Sequence, residues 1–200
     1  MRERLYKEIS ARLGRIYDVD GIPVYIRPQD SPNKPETAET AIKHFDLWND
    51  NVVQLTQQRP FPTPAVFFEF PPIVWAAAGM KTMRARVDIR LHIVTATLAA
   101  MGTQYEAAAL YRFRLIQATE DALRGMSGKP DERGRSFSTL AKVESDTDHN
   151  HEQVCEDIEV WATYCHDLSA YTQDGKVLTS FPVYLNTGDI FTPVFEDPFV

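Results

Sequence analysis

Residues 84 to 95 read RARVDIRLHIVT, and no other stretch limits the possible folds as strongly. Val87, Ile89, Leu91 and Ile93 alternate with Asp88, Arg90 and His92, which is the two-residue period of a strand with one buried and one wet face. A strand of this kind belongs to an antiparallel sheet covered on a single side. The cover is predicted from two helical stretches. Residues 103 to 125 set Ala109, Phe113, Ile116 and Leu123 beside Ala108, Leu115, Ala118 and Ala122, a broad apolar face that Gly125 and Gly128 bring to a stop. Residues 2 to 16 carry Leu5, Ile9, Leu13 and Ile16 on one stripe, with Arg and Lys opposite.

Further strands are predicted at 22 to 26 after an Asp20-Gly21 turn, at 66 to 70, at 137 to 145 and at 154 to 166. In the last of these, Val154, Ile158, Val160, Ala162 and Tyr164 share the face assigned to the core. Glu156 is the one polar member of that face and reads as a carboxylate paired with an arginine. Three prolines in RPQDSPNKPETAET predict an exposed loop. The expected fold class is therefore α+β: an antiparallel sheet of about four to five strands, two main helices packed on one face, and an extended C-terminal arm.

Two hundred residues, 44% of them hydrophobic, suffice for one domain, taken as 1–168, while the aromatic and proline-bounded stretch 169–200 forms the arm. A net charge of -7 repels a phosphate backbone, which disfavours general nucleic-acid binding. No run of eighteen apolar residues occurs and the first residues lack a signal-peptide core, so a membrane span is not expected and a cytosolic site of synthesis is. Cys155 and Cys165 lie ten apart in one predicted strand, about 33 Å at roughly 3.3 Å per residue, and are expected to be reduced thiols.

The densest chemistry is DTDHNHEQVCED at 146 to 157. In an extended chain His149, His151, Cys155 and Asp157 share a parity, here assigned to the solvent face, and these are the candidate metal ligands. The spacing matches no common zinc pattern. As a calcium loop it has His151 where glycine is needed and Asp157 in place of the bidentate glutamate, so a polar hairpin is the preferred reading and no metal or other cofactor is expected. No nucleophile elbow, phosphate-binding loop or dinucleotide fingerprint is present, and adjacent Cys165 and His166 face opposite ways in a strand, so no catalytic residues are assigned. Arg84, Arg86, Arg90, Arg112 and Arg114 form a basic group, either a solvated face with salt bridges or a surface for an acidic partner. Aromatic residues in proline-bounded segments, namely Trp48, Phe61, Phe67, Trp75, Tyr184, Phe191, Phe195 and Phe199, suit a protein interface. Trp48, Phe61, Trp75, Tyr184, Phe191, Phe195 and Phe199 are the candidate interface residues.

The succession LYKEISARLGRI, FDLWNDNVVQL, PFPTPAVFFEFPPIVW, VDIRLHIVT, a long helix and SFSTLAKVESDTDHNHEQVCEDIEVWATYCHD resembles phage and prophage tail-completion or head-tail-joining proteins of gut Bacteroidetes phages, similar in plan to the tail-terminator family. The resemblance covers roughly residues 3 to 168. The loop from 28 to 40 and the arm from 169 to 200 lie outside it. It implies a non-enzymatic virion protein at the neck or tail, made in the host bacterial cytoplasm and assembled as a ring on the DNA path. The implied partners are copies of itself, adjacent portal, connector or tail proteins, and DNA that passes without sequence-specific binding. The alternative is a metal-dependent enzyme or binding protein built on residues 146 to 157.

Overall fold

A computed structural model of the chain describes residues 1–33, 38–49, 61–79, 82–96, 104–131, 134–135, 137–148 and 154–167. In chain order the elements are helix α1 (Arg2–Leu13), strands β1 (Ile16–Val19) and β2 (Ile22–Tyr25), a 3-10 turn at Pro28–Asn33, then β3 (Glu39–Thr40), β4 (His44–Leu47), β5 (Ala65–Glu69), β6 (Trp75–Ala77) and β7 (Met83–Ala96). Helix α2 (Gln104–Leu123) follows, then β8 (Pro130–Asp131), β9 (Gly134–Arg135), β10 (Ala141–Asp148) and β11 (Val154–Asp167). The fold is α+β.

The main sheet has six strands in the order β10-β11-β7-β5-β4, with β6 pairing the start of β7. All pairs are antiparallel except β4 with β5, which run parallel. Strands β7 and β11 hold this sheet together, being 14 residues each and in register from Val154 opposite Ala96 to Asp167 opposite Met83. A small sheet of order β2-β1-β3 lies beside α2. Its β1–β2 hairpin turns at Asp20 (φ 54°) and Gly21 (φ 78°), where left-handed backbone favours Asp and Gly, and the Gly21 amide donates to Asp18 Oδ1 at 2.8 Å.

The predicted alternation of β7 holds as far as Leu91, whereas His92, assigned to the wet face, is buried because a second apolar cluster covers that end of the strand. Val87, Ile89, Leu91 and Ile93 are buried under the helices with Leu5, Ile9 and Leu13 of α1 and Leu115, Ala118, Ala122 and Leu123 of α2. Each large side chain of this kind contributes about 1.5–3 kcal/mol through removal from water. Four further expectations change. The first helix ends at Leu13, and Ile16 is buried as the opening residue of β1. The strand predicted at 137–145 lies at 141–148, with Phe137 held by a single bridge to Cys165. On α2, Ala109 and Phe113 are exposed, because the helix turns its Leu115–Leu123 side to the sheet. The PQDSPN segment takes up a 3-10 turn where a plain loop is predicted.

Strand β11 reverses the predicted assignment of its faces. Trp161 pairs with Ile89, so Cys155, Asp157, Glu159, Trp161, Thr163 and Cys165 face the helices, whereas Ile158, Val160, Ala162 and Tyr164 lie on the opposite face. The core anchor is one fully buried tryptophan, and its parity outweighs four smaller apolar residues.

Candidate functional site

The sheet carries two polar layers, one on each face, and both involve the strand that follows DTDHNHEQ. On the face away from the helices, His92 of β7 is buried to 4% exposure. Its Nδ1 meets Glu156 Oε1 of β11, and its Nε2 lies 3.2 Å from Glu69 Oε2 of β5. Glu69 also accepts from Arg90 at 3.3 Å. The Trp48 ring stacks on the imidazole at 3.9 Å between centroids and 4° between planes. Around this stack sits a second apolar cluster of Ala65, Phe67, Val94 and Val154, with Phe61 edge-on to Phe67 at 4.9 Å. Glu156 therefore pairs with a histidine where an arginine is expected. Both ring nitrogens face carboxylate oxygens and the Trp48 ring covers one ring face. Chemically the arrangement ties β5, β7 and β11 together.

On the helix face, Asp157 is buried at 2% exposure. It accepts from Arg112 Nε and Nη2 of α2, both at 2.5 Å, and from Thr147 Oγ1 of β10 at 2.8 Å. That two-pronged pairing raises the Arg112 pKa, the hydrogen bonds to Asp157 outweighing burial. Next along the strand, Glu159 takes Lys142 Nζ at 2.7 Å and Ser145 Oγ at 2.9 Å, and Lys142 also reaches Glu120 of α2 at 3.1 Å. Burial works to lower the Lys142 pKa, but the two carboxylates raise it overall.

These placements correct the solvent-facing assignment of the candidate metal ligands. Asp157 faces α2 and its oxygens are committed to Arg112 and Thr147, while Cys155 shares that face, half-buried. His149 and His151 lie outside the described residues, among which no group of three or more His, Cys, Asp or Glu side chains is arranged to hold a metal. Cys165 is a fully buried free thiol, pushed up to about 11 by burial. The His166 pKa is lowered, by burial and then by Arg84.

The expected basic group is divided by the sheet. Arg84, Arg86 and Arg90 are exposed on the face away from the helices, where Arg84 stacks 4.2 Å over the Tyr164 ring and Arg86 pairs with Asp88 at 3.0 Å. Arg112 belongs to the other face, and Arg114 is exposed on α2. Of the interface candidates, Trp48 and Phe61 are half-buried in the second cluster, and Trp75 packs its ring against the main core. Tyr184, Phe191, Phe195 and Phe199 lie outside the described residues. The His92–Glu156 pairing was missed in the sequence because its partners are 64 residues apart. The available signal was a polar residue set among apolar neighbours in each of three strands, Glu69, His92 and Glu156.

No protein-family model matches the chain, and no curated protein matches it. Among solved structures, the chain is similar to one from a structure described as the virion of a native gene transfer agent particle. The TM-score is 0.36 and the identity 18%, over 62% of this chain and 78% of that one. A likeness of that size carries neither fold nor role across.

Proposed function

We propose that this chain is a virion structural protein of the head-tail connector or tail-terminator kind, a ring-forming adaptor around the DNA channel at the neck or tail, with no catalytic role. The observation that carries the reading is the open face of the main sheet. Ile158, Val160 and Ala162 are half-buried there and Tyr164 is exposed, flanked by Arg86 and Arg90, with no helix over them among the described residues. Apolar strand residues beside an aromatic and arginines are the usual makings of a protein contact surface. The resemblance in residues 3 to 168 supplies the virion.

A closed ring needs heterologous contacts, one patch meeting a different patch on the next copy. The open face is one patch. The other is assigned to the aromatic arm, through Tyr184, Phe191, Phe195 and Phe199, and to the Trp48, Phe61 and Trp75 region. Adjacent portal, connector or tail proteins bind the ring's two ends. On β10, Glu144 and Asp146 are exposed and Asp148 is half-buried, and together with the net charge of -7 they suit a wall past which DNA slides.

The test is cryo-electron microscopy of purified particles, read for the location and copy number of this chain. A symmetric ring at the neck or tail is the expected result. Particles without the chain would end the structural reading, and a metal-dependent role for residues 146 to 157 would then be tested by metal content.

A further inference from the structure

Where β6 meets the start of β7, a groove of about 440 Å³ opens beside the last turns of β11. Val74, Ala76 and Ala78 line one side, with Arg84, Arg86 and Tyr164 on the other. The apolar lining is unusually bare: Val74 is 84% exposed and Tyr164 is 44% exposed. Arg86 shares its charge with Asp88, whereas Arg84 has only the Tyr164 ring and no carboxylate partner among the described residues. An apolar trough with a cationic flank calls for a segment that is apolar and acidic together.

Such a segment belongs to this chain. Residues 189–200 read DIFTPVFEDPFV, with three phenylalanines, three carboxylates and no lysine or arginine. In an extended chain Phe191, Phe195 and Phe199 share one parity, and Pro193 and Pro198 disfavour a helix. The chain leaves β11 at Asp167, which pairs with Met83, one residue from Arg84 of the groove. The intervening residues 168–188 could span up to about 70 Å if fully extended, ample to turn back into the trough. A tether of that length also holds the segment at an effective concentration on the order of millimolar, which another copy at micromolar concentration does not match.

We propose that in the free subunit residues 189–200 dock in the groove of their own chain, Phe side chains against Val74, Ala76 and Tyr164 and carboxylates toward Arg84 and Arg86. The docking does not depend on the ring reading. Under that reading it shields the edge of the contact face until a neighbour displaces the arm.

The experiment uses the full chain in solution, with the photo-crosslinking residue benzoylphenylalanine in place of Phe195, and isotopically heavy and light copies mixed before illumination. Crosslinks are expected within single copies and onto residues 74–86 or 160–167. The variant Arg84→Glu with Arg86→Glu should lower their yield by roughly fivefold, through two lost surface ion pairs and added repulsion. Adding Glu196→Arg and Asp197→Arg to it should restore the yield, a rescue that a misfolded variant cannot give. Crosslinks that join heavy to light copies assign the groove to a neighbour's arm and overturn the proposal. Crosslinks elsewhere, or a yield unmoved by charge reversal, overturn it as well. None of these results touches the location of the chain in particles, so the ring reading stands or falls on its own test.

Discussion

His92 shows what one side chain can decide. It is buried with carboxylates at both nitrogens and Trp48 across its face, so replacing it removes the imidazole that meets Glu156, itself buried at 2% exposure. The substitution His92→Leu should cost about 3–5 kcal/mol in urea unfolding. His92→Leu combined with Glu156→Leu should cost less than the sum of the two single changes, by about 0.5–3 kcal/mol. Strict additivity would mean that the two residues are not coupled. Cys165 is a second residue whose surroundings set its behaviour. The folded chain keeps the thiol protonated up to about 11, against an ordinary value of 9.0, so the unfolded chain loses its proton first as pH rises. Its contribution is therefore complete below pH 9 and lost as pH climbs from 9 toward 11. Cys165→Ala should flatten that alkaline limb in denaturation curves at pH 8 and 10. A thiol reagent applied to the native protein at pH 8 should modify half-buried Cys155 and spare Cys165 until denaturant is added. The pairing of His92 was not legible in the sequence, because its partners come from distant strands and local spacing carries no trace of them, whereas Cys165 reads there as a buried structural thiol and is one.

Among the elements, legibility followed the strength of the local period. Strand β7 was readable from its strict two-residue alternation between Ala85 and Leu91, and α2 as a helix from its length and composition, although Ala109 and Phe113 of its predicted face are exposed. The small strands β4 and β6 were not: four and three residues flanked by prolines and loops hold too little pattern, and a parallel β4–β5 pair has no hairpin turn to announce it. Strand β11 was found but with its faces exchanged. Asp157 and Glu159 belong to the inner face because α2 presents Arg112 to the one and Lys142, bridged to Glu120, stands beside the other. The β10–β11 hairpin is thus fastened to α2 by charge where the rest of the sheet is fastened by apolar contact. Arg112→Ala leaves buried Asp157 without its main partner and should cost about 3–5 kcal/mol. Hydrogen exchange should show the loss of protection concentrated in residues 141–148 and 154–159, with β7 near Ile89 less affected. Uniform loss across the sheet would rule out a hairpin held on separately.

For the molecule as a whole, the sequence predicted the α+β class and two helices on one face of the sheet, while the second core on the other face, which a one-sided cover does not allow for, became visible only with the strands in place. The main core lies under the helices, and a smaller one around Phe67 and Val94 closes the other face at the Trp48 end. On the proposed reading of residues 169–200 as a contact arm, deleting them should leave cooperative unfolding within a few degrees of the full chain while abolishing assembly in mass measurements made with neighbouring virion proteins. A truncated chain that still assembles would remove the arm from the contact.

The edge of the sheet bears on how copies can join. Strand β10 breaks register between Lys142 and Glu144 and carries Glu144, Asp146 and Asp148 along its length. A kinked, negatively charged border is a poor template for another backbone ladder. At this border copies are kept from adding strand upon strand into a continuous ribbon. Contact between copies is thereby left to faces, where the rotation from one copy to the next decides whether the set closes.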